Sequence, residues 1–421
     1  MAADHIFTGF GFGPIQSGLF AKEAFQSGSF SRIVVAEIDQ ELVDAVRAND
    51  GSYFVNVAGL DGAKVLEVQG VELLNPNVDA DREALCKALR ESTEVVTSLP
   101  SVDFYGAGGD CSVASMLADA FACSSAAATI VYAAENNNHA AEILAKDVGK
   151  SAGGNVQFLN TVIGKMSQVV TDKGLIDELG LRPIAPGIQR AFLVEQFNRI
   201  LVSRTDIEGF RPGIEVFVEK DDLLPFEEAK LYGHNAIHAL MGFVGGLKGY
   251  GRMTELRGDG QVMRIARDAF VHESGGALIR KYGHLGDELF AQDGYREYAE
   301  DLLERITNPY LADAVARAGR DVVRKLGRDD RIFGTMRLAI GQGIEPVSMA
   351  VGALAGIGVL LRQAEQYGLP EELRCEDWHN LDEARIQGIL CRLWDQEESE
   401  ETQRLAWLVH DAGDILSRVL G

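Results

Sequence analysis

His5-Ile-Phe-Thr8 is a short apolar run that gives way at once to Gly9-Phe10-Gly11-Phe12-Gly13-Pro14-Ile15-Gln16-Ser17-Gly18, and a helical pattern begins near Leu19. A strand, a glycine turn and a helix in that order open a βαβ unit. There the glycines let backbone approach a diphosphate, and the helix N-terminus offers free N–H groups and a positive dipole end. The next strand, Arg32-Ile-Val-Val-Ala36, ends in Glu37. An acidic residue there suits both ribose hydroxyls of a dinucleotide and repels a 2′-phosphate, which points to NAD rather than NADP. On this reading Gly9, Gly11, Gly13, Ile15, Gln16 and Glu37 line the cofactor site. The competing reading is a tight structural turn with Glu37 as an ordinary strand-end carboxylate. Pro14 stands where a third glycine is usual, so the helix is expected to start a step off.

The alternation continues. Tyr53–Val57, Val65–Val68, Ala128–Ala133 and Val156–Leu159 read as strands, and Asp81–Arg90 and Cys111–Cys123 as helices. Arg190–Val194 is expected to extend the same sheet, with Gly174–Gly187 as a loop over its edge. The strand at 128–133 stops at Glu135-Asn136-Asn137-Asn138. Ligands of parallel sheets bind at carboxyl ends of strands, so Asn136 can offer an amide N–H there. A turn with helix capping explains the asparagines as well.

From about Pro225 the pattern is helical. Lys230-Leu-Tyr-Gly-His234-Asn235-Ala-Ile-His238 puts Lys230, Asn235 and His238 at i, i+5 and i+8. At 100° per residue Asn235 lies about 140° and His238 about 80° from Lys230, so one broad face can hold all three. A base, an amide donor and an imidazole on one face suit alcohol–ketone interconversion; a surface lysine, a polar asparagine and a satisfied histidine are the plainer account. His234 and His238 are i,i+4, but no third ligand has a recognisable spacing and no metal is expected. Arg317, Arg320, Arg324, Lys325, Arg328 and Arg331 recur three or four apart on what reads as one helical segment. This positive stripe is either a solvated face or a phosphate site. Met349–Leu361 reads as a buried helix, and the acidic run Glu397–Glu401 as a solvated loop.

Charge narrows the partners. The formal net charge is −23 over 421 residues, which opposes nucleic-acid and anionic-membrane binding. The five cysteines show no CxxC pair and suit free thiols in a reducing cytoplasm. Met1–Asp4 carries no basic leader pattern, and the longest apolar run is too short and glycine-rich to span a bilayer. The expectation is a cytoplasmic α/β protein: a Rossmann-type NAD-binding domain over 1–205, then a mostly α-helical substrate domain over 206–421. The spacing leaves its oligomeric state open.

Several segments resemble the polyol-specific long-chain dehydrogenase/reductase (mannitol dehydrogenase) family. Lys230-x4-Asn235-x2-His238 looks like its signature, Glu135-Asn136 like its Glu-Asn turn, and Glu273-Ser-Gly-Gly-Ala-Leu-Ile-Arg-Lys-Tyr-Gly283 like a further shared segment. Arg305-Ile-Thr-Asn308-Pro309 through Asp313 to Arg324-Lys325, then Asp330-Arg331, is similar to members acting on phosphorylated sugars. The resemblance implies metal-free, NAD-dependent interconversion of a hexitol phosphate and a ketose phosphate. Lys230 would be the general base or acid, Asn136 and Asn235 an oxyanion hole, and His238 the substrate-orienting group. It adds Glu135 to the cofactor site and suggests Arg305, Arg320, Arg324 and Lys325 for the phosphate. Gly164-Lys165 stands where the family has an Asp-Arg pair, so a carboxylate of the active-site network is missing. A dehydrogenase of a free polyol or hexonate, or a non-catalytic NAD-binding sensor, are the alternatives.

Overall fold

The computed structural model describes residues 5–375 and 381–421; Met1–Asp4, where no leader is expected, lie outside the described residues. The chain forms two compact units that meet between Leu224 and Pro225.

Among the described residues the first unit has twelve strands: β1 His5–Phe10, β2 Phe30–Ala36, β3 Tyr53–Ala58, β4 Ala63–Val68, β5 Val71–Leu74, β6 Glu94–Thr97, β7 Thr129–Ala133, β8 Val156–Ile163, β9 Ser167–Val170, β10 Ala191–Glu195, β11 Ile200–Ser203 and β12 Phe217–Lys220. Eight form one sheet in the order β12-β11-β8-β7-β6-β1-β2-β5. From β5 to β8 every neighbour pair is parallel. Numbered along the chain, those six strands run 3-2-1-4-5-6, the order of a dinucleotide-binding doubly wound sheet. Parallel strands covered on both faces must be apolar throughout, and β6 and β7 are buried at every position. The topological switch lies between β1 and β6, where the ligand crevice of such sheets opens.

Three sequence expectations need correcting here. β10 does not extend the large sheet; it joins a second, four-stranded sheet, β4-β3-β10-β9. A buried apolar strand specifies its faces and not its neighbours. Residues 174–179, expected as loop, belong to the helix Lys173–Leu179, capped by the Asp172 side chain on Leu175 N–H and closed by Gly180 in the left-handed region. The first unit also runs past 205, because β11 pairs with β8 and β12 with β11.

The second unit is helical. Helix Val347–Leu361 is almost wholly buried and takes close neighbours at its glycines. A Cβ on Gly352 would lie 2.8 Å from Leu240, and one on Gly356 2.9 Å from Leu326 and 3.0 Å from Phe243. The expected arginine helix is broken into Val315–Gly319, Val322–Lys325 and Arg331–Gly341. Asp321, at φ 56°, turns the chain between the first two. The acidic run is not wholly loop: Ser399 caps helix Glu400–Asp411, and Glu401 binds Arg328 and Arg337. Among the described residues no helix is long and apolar enough to cross a membrane.

Candidate active site

In the first unit the glycine turn sits at the switch point. Gly11 N–H donates to Ala36 O at 2.9 Å and Ser98 N–H to Phe10 O at 3.0 Å, tying the turn between β2 and β6. Gly11 has φ +80°, and a Cβ there would lie 2.7 Å from Ser98 O, so only glycine fits. A Cβ on Gly13 would meet nothing within 4 Å, which leaves the turn open on that side. The helix starts at Pro14. Proline is tolerated at the first helical position, whose N–H has no intrahelical acceptor, so its presence is compatible with the turn. Gly13 O accepts the N–H and the hydroxyl of Ser17, both at 2.9 Å.

The helix then widens into a π turn over Gln16–Phe20. Ile15 is half-buried above it. Gln16 is fully buried, its amide packed on Gly9 so tightly that a Cβ on Gly9 would lie 1.7 Å from Nε2. Neither amide atom has a hydrogen-bond partner. The small residue that brings this helix onto its neighbours is Gly18, where a Cβ would be 2.5 Å from Val194 and 3.3 Å from Val55 of the second sheet.

Glu37 is half-buried at the end of β2, accepting the N–H groups of Phe12 and Asp39, each at 2.9 Å. Glu135 is buried: it accepts Leu99 N–H and the Thr97 hydroxyl at 2.8 Å each, and the Tyr105 hydroxyl. Burial raises its pKa. These bonds make Glu135 a tie between the ends of β6 and β7, and Asn136 follows it exposed. Beyond β8, a Cβ on Gly164 would meet Phe197 at 3.7 Å, so sterics do not exclude a side chain there. Lys165 is turned inward, donating to the carbonyls of Glu195 and Phe197 at 2.6 Å each.

In the second unit Lys230 lies on a π turn, Ala229–Asn235, and helix Ala236–Lys248 follows. This corrects the α-helical geometry expected from the sequence. A π turn bonds i to i+5, so Lys230 and Asn235 become neighbours one turn apart, as i and i+4 are on an α-helix, rather than about 140° apart. Lys230 keeps part of its surface exposed, yet its ammonium is packed among protein atoms. Burial and the Arg331 charge lower its pKa to about 8. Asn235 is half-buried. One helical turn on, His238 Nε2 lies 2.8 Å from Asp313 Oδ2, and Arg317 Nε donates to Asp313 Oδ1 at 2.6 Å. Asp313 is 3 % exposed, and its carboxyl is held well below the usual range because the His238 and Arg317 bonds outweigh burial. His234 is buried, and burial first, then the Arg305 charge, push its pKa well below the usual imidazole range. No group of three or more His, Cys, Asp or Glu among the described residues could hold a metal.

The phosphate candidates separate. Arg320 and Arg324 are exposed and share Asp321, at 3.8 and 3.5 Å. Arg305 is buried with Asp301 at 3.0 Å. Lys325 is buried, donates to Ala318 O at 2.7 Å, and has its pKa lowered to about 8 by burial and Arg331. Asp313 is the residue that sequence reading missed as a site member. Its signal is a carboxylate among Leu311-Ala312 and Ala314-Val315, where burial demands a partner.

Residues 222–388 match the model of the mannitol dehydrogenase C-terminal domain. The whole chain is similar in structure to a D-sorbitol dehydrogenase in substrate-free form, with a TM-score of 0.74, 17% identity, and coverage of 99% of this chain and 94% of that one. It is also similar to mannitol 2-dehydrogenase of Pseudomonas fluorescens, in a ternary complex with NAD and D-mannitol, with a TM-score of 0.70, 16% identity and the same coverage, 99% and 94%. The chain therefore has the fold of these proteins, an α/β region with a parallel sheet followed by a helical region, and the family match lies in the helical region.

Proposed function

We propose that the protein is an NAD-dependent, metal-independent polyol dehydrogenase that interconverts a secondary alcohol and a ketone. The carrying observation is Lys230: a lysine with a pKa of about 8 on a π turn that ends in an amide, Asn235, with an anchored imidazole, His238, one helical turn beyond that amide. In the oxidative direction neutral Lys230 takes the hydroxyl proton; in reduction its ammonium returns it. Asn235 donates to the substrate oxygen as charge develops on it, and Asn136 is taken as a second amide donor. His238 orients a neighbouring hydroxyl.

The first unit suits a dinucleotide on its own evidence. It has an open glycine turn at the switch point, a helix N-terminus behind it, and Glu37 at the end of β2. Gly9, Gly11, Gly13 and Ile15 would take the diphosphate side and Glu37 the ribose; Gln16 faces inward and would act by packing. The nicotinamide, when bound, supplies or accepts the hydride.

We take a hexitol phosphate and its ketose phosphate, mannitol 1-phosphate and fructose 6-phosphate first, as the substrate pair. Lys325, a buried cation of the second unit that donates to a carbonyl, supports an anionic group on the substrate; Arg305 and Arg331 are buried too but pair with Asp301 and Asp330. A free polyol or hexonate is the second reading, favoured by the pairing of Arg320 and Arg324 with Asp321. The test is NADH consumption with a panel of ketose phosphates, ketoses and ketohexonates, repeated with Lys230→Ala. The reading expects turnover of at least one class and its loss in the variant. NAD binding without turnover of any of them would leave a nucleotide sensor instead.

A further inference from the structure

We propose that Asp313 is a positioning residue that fixes the tautomer of His238, so that this point of the site presents a hydrogen-bond acceptor, Nδ1, and selects a substrate hydroxyl that can donate to it. The inference rests on the functional reading only in naming the ligand group; the tautomer itself follows from the protein.

Asp313 is fixed on three sides. Its carbonyl accepts Met253 N–H at 2.8 Å, Val315 N–H donates to Gly251 O at 3.0 Å, and Ala314 bridges to Arg252. The carboxylate is 3 % exposed, with Oδ1 on Arg317 Nε at 2.6 Å and Oδ2 on His238 Nε2 at 2.8 Å. An ionised carboxylate only accepts, so the proton in the second bond belongs to Nε2. A neutral imidazole carries one N–H, and Nδ1 is then left with its lone pair. The His238 side chain is 18 % exposed, and its only hydrogen bond among the described residues is the one through Nε2. A ring pinned through a buried carboxylate thus keeps Nδ1 as an acceptor on a side chain that retains some exposure. Such an atom pairs with a hydroxyl and not with a carboxylate or phosphate oxygen, which places any anionic group of the substrate elsewhere. Arg317 matters because it fixes the polarity of Asp313: whatever stands at 313 must accept from the guanidinium on the Oδ1 side.

The test is selective 15N-histidine labelling of the full chain, with His238→Asn assigning the signal, and long-range 1H–15N correlation at a pH where His238 is neutral. The expected result is a single Nε2–H tautomer with a pyridine-type Nδ1. An Nδ1–H form, or a mixture, overturns the proposal, whatever the enzyme turns over. Asp313→Asn supplies the second arm. Arg317 would take the amide oxygen and leave the NH2 group facing His238, which reverses the tautomer to Nδ1–H. The kcat/KM for the polyol should then fall about ten- to a hundredfold, the scale of one or two mismatched hydrogen bonds. Among monodeoxy analogues, one position should be strongly discriminated by the wild type and hardly by the variant. A reversed tautomer with unchanged kcat/KM and unchanged discrimination would overturn donor selection. The expected tautomer with no turnover of any polyol would instead overturn the functional reading, and donor selection with it.

Discussion

A Cβ atom on Gly233 would lie 2.8 Å from the hydroxyl oxygen of Tyr295. The same ring closes off Gly275, whose Cβ would come within 2.6 Å of it. Tyr295 is 1% exposed, meets the Phe270 ring edge-on at 5.9 Å, and has its hydroxyl 3.1 Å from Ser274 Oγ. One tyrosine thus stands between two π turns, Ala229–Asn235 with Lys230 on it and Ala269–Gly275.

Gly233→Ala tests whether that packing sets the position of Lys230. Alanine is the better helix former by about 1 kcal/mol, so the change stabilises if the space is not needed. With Tyr295 in the way, overpacking should instead cost about 1–3 kcal/mol, read as a lower Tm in calorimetry. The turnover number should fall more than tenfold as the π turn shifts, with the far-ultraviolet circular dichroism unchanged. A lower Tm with full turnover would show that the turn and the lysine are not coupled.

The pH profile follows from the direction of the Lys230 shift. A lysine with a pKa of about 8 is charged below that value and cannot accept a proton. Alcohol oxidation, with chemistry rate-limiting, should therefore rise about tenfold per pH unit toward 8 and level off above, while ketone reduction, which needs the ammonium, should be flat below 8 and decline above it. Arg331 is the neighbouring charge that helps to hold the value down. In Arg331→Gln the pKa should rise, and the rising limb of oxidation should move to higher pH. A limb that stays in place would remove Arg331 from the account.

How much of this was legible in the chain differs by element. β7 is an unbroken apolar run ended by Glu135, and such runs identify a buried parallel strand without further information. β10 is just as apolar, yet its partners are β3 and β9, because local pattern carries no record of pairing. The helix Lys173–Leu179 carried its signals, Asp172 before it and Gly180 after it, but Pro183 and Pro186 made the stretch read as loop. Lys230, Asn235 and His238 were legible by spacing, whereas the π turn was not. An inserted residue in the helical ladder shifts the phase of the pattern but has no residue type of its own to announce it; Gly233 and Gly275 are its trace, intelligible once Tyr295 is known to lie against them. The arginine stripe failed for a backbone reason, since Asp321 at positive φ sends its members to different partners.

Glu94 predicts a separate dependence of stability on pH. It is 0% exposed at the start of β6, accepts Gly213 N–H at 2.5 Å through Oε1, and has the Tyr132 hydroxyl as a further partner. Burial raises its pKa to about 7. An acid whose folded pKa exceeds its unfolded value of 4.5 binds more protons when folded between the two, so stability falls as pH rises from 4.5 to 7. The loss from this group is on the order of 3 kcal/mol. Glu94→Gln removes the titration, so the Tm of wild type minus variant should decrease over that window and be flat above it. A difference independent of pH would mean that Glu94 does not titrate there.

Arg324 and Lys325 are neighbours with opposite surroundings, and substituting each tests whether the substrate is phosphorylated or free. The Arg324 side chain is 55% exposed and turned to Asp321, so its interaction with any ligand competes with solvent and with that carboxylate. Lys325 is 7 % exposed, and an ammonium buried beside Arg331 gains from any anion that reaches it. If a phosphate binds there, Lys325→Met should raise KM for the phosphorylated ketose about ten- to a hundredfold, the scale of a lost charge-assisted hydrogen bond, and leave that for the free ketose within about twofold. Arg324→Ala should change neither. Because Lys325 loses its charge above a pKa of about 8, KM for the phosphorylated substrate should also rise between pH 7 and 9 in the wild type and not in Lys325→Met. Equal losses for both ketoses in Lys325→Met would assign the lysine to a hydroxyl and favour the free polyol.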